Sequence, residues 1–222
     1  MIHTATFYYF LTYREYNRMI RSPDVQWRRK EKHYRFSISP EERLKGINQL
    51  YLKENKLFIT LNLQRVITQS YSNQLFTPTQ NNLTSLYKAS EPLLTNLNKH
   101  GINIYSPLEE LQLERLDCTL DIHTSHVQTY VKLLNRGSIP YHYKDFKDKS
   151  NHDTSEESCY LFCKSKHLNI YDKAAELEKK SKGSEEINDV LRVEVQLLNR
   201  FFFSQYISQH KQISTNCTGI NF

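Results

Sequence analysis

Three segments of the chain alternate apolar and polar residues with a period of two, and this pattern most constrains the fold. The plainest segment runs from Leu113 to His123, a second ends at Asp172, and the third covers Val190–Leu198. Successive side chains of a strand point to opposite faces, so each segment predicts a strand with one apolar and one polar face. Such strands are typical of antiparallel sheets that bury only one face.

Segments with helical spacing lie between these strands. Asn82 is the predicted cap of a long helix from Leu83 to about Lys99, which Gly101 follows. A later helix, Val127–Asn135, has Thr124 or Ser125 as its predicted cap. We therefore predict an α+β fold with a mainly antiparallel central sheet and helices packed on one face.

A short echo in the sequence bears on how the chain is organised. Leu57–Val66 resembles Leu191–Arg200, which indicates either duplicated strand-and-helix halves or a chance likeness between two alternating strands. A chain of 222 residues is long enough for one enlarged domain. We predict a single domain over residues 1–222, with an N-terminal half, a second half and a short C-terminal extension at 1–106, 107–200 and 201–222.

Charge and hydropathy narrow the class of protein. The chain has 30 Lys and Arg against 24 Asp and Glu, a net charge of +6, which favours a polyanionic partner. The sequence has no apolar run of about 18 residues, as a membrane helix requires, and its N-terminus lacks a signal-peptide pattern. We therefore predict a soluble cytoplasmic protein with no membrane partner. Its four cysteines are too sparse for a disulfide scaffold and lack paired zinc-ligand spacing.

The polar faces of the three alternating strands carry similar chemistry. On Leu113–His123 the even positions are predicted to face the core, and the odd positions to carry charge. The other two strands place a tyrosine, a lysine, an arginine and a glutamate on their polar faces. The full set is Arg115, Asp117, Thr119, Asp121, Asn169, Tyr171, Lys173, Arg192, Glu194 and Gln196.

Two interpretations of these polar faces remain open. Antiparallel sheets commonly leave one face in water and cover it with cross-strand ion pairs. Alternatively, clustered carboxylates could bind Mg²⁺ or Mn²⁺ while a tyrosine attacks a phosphodiester. A free phenol has a pKa near 10, so this second interpretation requires neighbouring cations that favour the phenolate.

Three short blocks occur in an order that resembles a known enzyme family. They are R-L-D at Arg115–Asp117, N-I-Y-D-K-A-A-E-L at Asn169–Leu177 and L-R-V-E-V at Leu191–Val195. In this order they resemble the gene II replication initiators of filamentous phages and the trans-acting rolling-circle initiators of plasmids. The resemblance implies a site-specific endonuclease that nicks and joins single DNA strands at a replication origin.

The resemblance also implies roles for individual residues. Tyr171 would attack the origin phosphodiester, leaving a 5'-phosphotyrosine and a free 3'-hydroxyl, and Lys173 would stabilise negative charge. The carboxylates Asp117, Glu176 and Glu194 would ligate Mg²⁺ or Mn²⁺. Arg115 and Arg192 would bind phosphate, although each could instead pair with a neighbouring carboxylate.

A basic and aromatic segment supplies the predicted DNA contacts, although a connector is the equally weighted alternative. Its contact residues are Tyr141, Tyr143, Lys144 and Lys147, because aromatic rings interleaved with cations suit base stacking and phosphate binding. The implied partners are single-stranded or supercoiled origin DNA and the host helicase and polymerase. Two other functions remain open, a non-enzymatic nucleic-acid-binding module and a metal-dependent nuclease that uses water.

Overall fold

A computed structural model describes most of the chain and resolves it into two compact units. The described residues are 1–22, 27–30, 33–36, 46–70, 74–137, 144–145, 158–163, 166–179 and 189–198. The first unit contains Met1–Leu116, and the second is Asp117–Leu198. The assignment of residues 1–222 to a single domain stays a prediction.

The first unit contains a five-stranded antiparallel sheet in the order β2-β3-β4-β5-β1. Its elements are β1 (Ile2–Phe10), α1 (Tyr13–Arg21), β2 (Trp27–Lys30), β3 (His33–Phe36), β4 (Ile47–Lys53), β5 (Lys56–Asn62), α2 (Leu63–Thr68) and α3 (Gln80–Lys99). A short 3-10 turn, Leu108–Glu110, precedes the next strand.

Helices cover one face of this sheet. The odd positions of β5, from Leu57 to Leu61, are fully buried and form one cluster with apolar residues of all three helices. Met19 of α1, Val66 of α2 and Leu97 of α3 belong to that cluster. Burial of these apolar side chains is the main driving force for the packing.

The second unit contains five strands in the order β6-β10-β9-β8-β7. Its elements are β6 (Gln112–His123), which begins in the first unit, α4 (Val127–Arg136), β7 (Lys144–Asp145), β8 (Ser158–Phe162), β9 (Lys166–Asp172), α5 (Lys173–Lys179) and β10 (Val190–Leu198). Val127 and Val131 of α4 pack on Cys159, Ile170 and Leu191, so a helix again covers one face of the strands.

The predicted fold class is confirmed. Both units combine antiparallel strands with helices on one face, and β10 has the predicted bounds. Helix α1 begins directly after Thr12, which caps it. The Thr12 side chain accepts a hydrogen bond from the Glu15 N–H, and the Glu15 carboxylate accepts one from the Thr12 N–H, which is a complete capping box.

Two predicted helix caps were wrong. Helix α3 begins earlier than expected because the Thr79 side chain caps it by accepting from the Asn82 N–H. The Asn82 side chain instead donates to the Thr77 carbonyl. The cap of α4 is His126, whose own N–H donates to the Thr124 hydroxyl. In both cases several polar residues could cap the helix, and the path of the preceding chain selects one.

The buried face of β6 is the opposite of the predicted one at its C-terminal end. Leu120 and Ile122 are 53% and 40% exposed, whereas Asp117 and Thr119 are buried. Alternation predicts two faces but does not decide which one is covered. Because Asp117, Arg192 and Glu194 are buried, the polar face of the second unit is not simply a solvent-exposed face of ion pairs.

None of the helices in the described ranges is long and apolar enough to cross a membrane.

Candidate active site

The candidate site lies in the second unit, on the polar face where β9 pairs with β10. The antiparallel register places Tyr171 directly opposite Arg192 and Asn169 opposite Glu194. Residues directly opposite each other share a face, so Tyr171, Arg192 and Glu194 project to the same side. All three are buried, and Arg192 is only 2% exposed. Burying this much polarity is costly unless each group has a partner.

The Tyr171 hydroxyl has such a partner. It donates a hydrogen bond to Glu194 Oε1 at 2.9 Å. Burial, and then the negative charges of Glu194 and Glu176, raise the pKa of Tyr171 well above its usual value of 10.0, while Arg192 opposes the shift. The phenol is therefore held protonated at neutral pH, with a carboxylate placed to receive its proton.

Arg192 is fixed by Asp121 of β6. Its Nε donates to Asp121 Oδ1 at 2.6 Å and its Nη2 donates to Asp121 Oδ2 at 2.7 Å, a two-bond pairing. Burial lowers the pKa of Arg192, but its bonds to Asp121 and nearby negative groups outweigh burial and raise it. The guanidinium therefore stays charged beside the tyrosine.

Lys173 and Glu176 form a second charged pair at the start of α5. Lys173 is buried, and its Nζ lies 2.5 Å from Glu176 Oε2. The pair supplies a cation two residues after Tyr171 together with a carboxylate whose charge acts on that tyrosine. The structure thus brings Tyr171 together with Glu194, and Lys173 together with Glu176.

Asp172 joins the tyrosine strand to the helix. Its Oδ1 accepts hydrogen bonds from the N–H groups of Ala174 and Ala175, and its Oδ2 accepts one from Gln128 of α4. Asp172 therefore caps α5 and ties it to α4. Asp172 was not among the predicted site residues, although an aspartate immediately before a helical pattern is a recognisable cap signal.

The three predicted metal ligands are not assembled as one site. Asp117 is buried on β6, Glu176 is bonded to Lys173, and Glu194 accepts from Tyr171. Among the described residues, no group of three or more His, Cys, Asp or Glu side chains is arranged to hold a metal ion. The donor set as it stands does not fit the predicted cation, so the assignment of Mg²⁺ or Mn²⁺ stays a prediction.

The remaining predicted residues lie elsewhere. Arg115 is in the first unit, where its positive charge opposes the rise in the pKa of Tyr51 that burial and Glu114 cause. Tyr141, Tyr143 and Lys147 lie outside the described residues, and Lys144 is described only as part of β7. Their predicted DNA contacts stay predictions.

Comparisons with known proteins were made for the whole chain. Neither a protein-family model nor a curated protein matches it. Among solved structures, its structure resembles that of a rolling circle replication initiator protein from Geobacillus stearothermophilus, with a TM-score of 0.40 and 9% sequence identity. The match covers 97% of this chain and 79% of that chain. The likeness is one of fold.

Proposed function

We propose that the protein initiates rolling-circle DNA replication by nicking one strand through Tyr171 and later rejoining it. One observation carries the proposal: a buried tyrosine donates its hydroxyl proton in a hydrogen bond to a buried glutamate, with an arginine and a lysine in the same unit. A tyrosine used only for packing would not need this much buried charge. The order of the tyrosine and carboxylate blocks in the sequence supports the same reaction.

The chemistry follows from the contacts of Tyr171. Its proton moves to Glu194, and the phenolate oxygen attacks phosphorus. The bond between phosphorus and the 3'-oxygen breaks, and that oxygen takes up a proton from water to become a 3'-hydroxyl. The product is a 5'-phosphotyrosine, and the reverse reaction joins the strand without another energy source.

The two buried cations would act on charge that develops during this step. Lys173 follows the tyrosine closely, and Arg192 lies opposite it on β10. Each is anchored by a carboxylate, Glu176 or Asp121, so neither has to move far when negative charge appears on the phosphoryl oxygens. Prearranged positive groups of this kind lower the barrier because they need little reorganisation.

A pool of random single-stranded oligonucleotides tests the proposal without knowledge of the origin sequence. The pool carries a label at the 3' end, because that segment stays attached to the tyrosine, and is incubated with protein and Mg²⁺ or Mn²⁺. We expect a labelled protein band that survives denaturation, and sequencing of the captured DNA would identify the origin. Tyr171→Phe should abolish the band, since phenylalanine has no nucleophilic oxygen.

Tyr51→Phe is the matched control, because Tyr51 is likewise a tyrosine on a sheet strand and is half-buried. It should leave the labelled band intact. Cleavage that persists in Tyr171→Phe would identify water as the nucleophile. A wild-type protein that cleaves no member of the pool would favour a binding module.

A further inference from the structure

Thr119 carries a buried hydroxyl that makes no hydrogen bond within the described residues. Thr119 lies on β6, is only 3% exposed, and its Oγ1 has no hydrogen-bond partner among the residues that the structure describes. In the first unit, by contrast, the buried hydroxyls of Thr6 and Thr60 bond to each other at 2.9 Å. Buried polar groups are paired in most proteins, so an unpaired one calls for a specific explanation.

Thr119 is placed beside the candidate site by the pairing of β6 with β10. The Thr124 N–H donates to the Asp189 carbonyl at 2.8 Å, and Asp121 holds Arg192. Asp121 and Thr124 on one strand therefore correspond to Arg192 and Asp189 on the other. Residue numbers rise along β6 where they fall along β10, so the two strands run antiparallel. The same register, continued towards the start of β6, sets Thr119 opposite Glu194.

This position brings the hydroxyl close to the reacting tyrosine. Side chains directly opposite each other in an antiparallel pair have Cβ atoms about 4.5–5.5 Å apart. Glu194 accepts from Tyr171, so Thr119 and Tyr171 lie on either side of the same carboxylate. Alternation along β6 also places Thr119 on the face that carries Asp117 and Asp121.

The other donors of the site already have anionic partners. The Arg192 guanidinium is bonded to Asp121, the Lys173 ammonium to Glu176, and the Tyr171 hydroxyl to Glu194. The Thr119 hydroxyl takes part in none of these bonds. Phosphate oxygens are acceptors that serine and threonine hydroxyls commonly bind in protein–DNA complexes.

We propose that the Thr119 hydroxyl binds DNA directly, donating a hydrogen bond to a non-bridging oxygen of the phosphodiester that Tyr171 attacks. The proposal rests on the proposed nicking function, because it places the reacting phosphate between Thr119 and Tyr171. It accounts for a buried hydroxyl that has no partner in the described part of the chain, since the substrate supplies its acceptor.

Thermal unfolding of the free protein gives the first test. Thr119→Val has nearly the same shape and removes only the unpaired hydroxyl, so its melting temperature should equal or exceed that of the wild type. Thr6→Val is the matched control and should melt at a lower temperature, because it breaks the bond to Thr60. A comparable drop in Thr119→Val would overturn the proposal, since the hydroxyl would then have a structural partner.

Binding of a fluorescent oligothymidylate, measured by anisotropy in buffer without divalent metal, gives the second test. Thr119→Val should bind about tenfold more weakly, as expected for loss of one hydrogen bond to a charged group. Thr119→Ser, which keeps the hydroxyl, and Thr6→Val should both bind within about twofold of the wild type. Equal binding by Thr119→Val and the wild type would overturn the proposal.

The tyrosine variant separates the two proposals. If Tyr171→Phe still cleaves DNA while Thr119→Val binds weakly, the tyrosine mechanism fails and the phosphate contact stands. If Tyr171→Phe is inactive while Thr119→Val binds and reacts normally, only the Thr119 proposal fails. A wild-type protein that binds no single-stranded DNA overturns both.

Discussion

The two units arrange their strands in the same order but fill corresponding positions with different chemistry. In each unit the first strand is followed by a helix, and the fifth strand lies between the first and the fourth: β1-β5-β4-β3-β2 and β6-β10-β9-β8-β7. The echo between Leu57–Val66 and Leu191–Arg200 falls on the two fifth strands, β5 and β10. The repeated order favours duplicated halves over a chance likeness.

The strand register identifies corresponding residues. Aligning Leu57–Val66 with Leu191–Arg200 pairs Phe58 with Arg192. Phe58 lies opposite Tyr51 of β4, and Arg192 lies opposite Tyr171 of β9. The Tyr51 ring stacks on Phe58 with a centroid distance of 4.7 Å, whereas Tyr171 faces a guanidinium.

The next position on the polar face differs as well. It holds Thr60 in the first unit, bonded to another threonine, and Glu194 in the second, bonded to Tyr171. At these positions the polar face of the first unit carries neutral groups, and that of the second unit carries charged groups. Buried charge seldom improves stability over apolar packing, so the second unit is the one whose composition calls for a functional explanation.

Among the changes considered, removing Arg192 should lower the free energy of unfolding the most. Arg192→Met leaves Asp121 without its two hydrogen bonds, and we expect a loss of about 3 kcal/mol in the free energy of unfolding. This is the lower end for a buried pair, because the Asp121 side chain is 23% exposed. Urea unfolding measures the loss. The double variant Arg192→Met, Asp121→Leu should recover most of it, and an unchanged midpoint in the single variant would contradict the expectation.

Neutralising Glu194 should remove activity while sparing the fold. Glu194→Gln still accepts a hydrogen bond from Tyr171 but takes its proton poorly, so covalent adduct should form about a hundredfold more slowly. Initial rates of adduct formation measure this effect. Thr60→Val changes the corresponding residue of the first unit and should leave the rate unaltered. A rate in Glu194→Gln within a few-fold of wild type would refute the role of Glu194 as proton acceptor.

The threonine pair should respond more mildly. Thr60→Val leaves the buried Thr6 hydroxyl unpaired and should lower the free energy of unfolding by about 1–2 kcal/mol. The double variant Thr6→Val, Thr60→Val removes both hydroxyls and should lie close to the wild type. Urea unfolding of the single and double variants gives the coupling, and additive losses would contradict it.

The smallest effect is a difference in alkaline stability. Because the pKa of Tyr171 is raised in the folded protein, its contribution to stability is complete below pH 10 and falls as pH rises above that value. Relative to Tyr171→Phe, the wild type should lose about 0.8 kcal/mol between pH 8 and pH 10.5. Urea unfolding at both pH values measures the difference, and identical pH profiles would show that the folded and unfolded tyrosines titrate alike.

Local patterns in the sequence were sufficient to predict the fold class and many elements. Alternation located β10 within its observed bounds. These signals act over a few residues, so a single sequence contains them completely. The pairing of Lys173 with Glu176 was predictable for the same reason, because residues three apart are neighbours on a helix.

Contacts between distant segments were harder to predict. The bond from Arg192 to Asp121 joins residues 71 positions apart, and the sequence offered several carboxylates as partners. The exposure of Leu120 depends on which face of β6 other segments cover, and alternation carries no information about that choice. Alternation placed Thr119 on the polar face of β6, but only the folded structure reveals that its hydroxyl has no partner among the described residues.

The bonds of Asp172 bear on what happens after a strand is cut. Through them the residue next to Tyr171 is tied to two helices, α5 directly and α4 through Gln128. On the proposed mechanism, the captured 5' end of the DNA would therefore be fastened to a part of the protein with little freedom to move. Resealing would then depend on the return of the free 3' end. The rates at which that end leaves and returns would set the lifetime of the covalent complex.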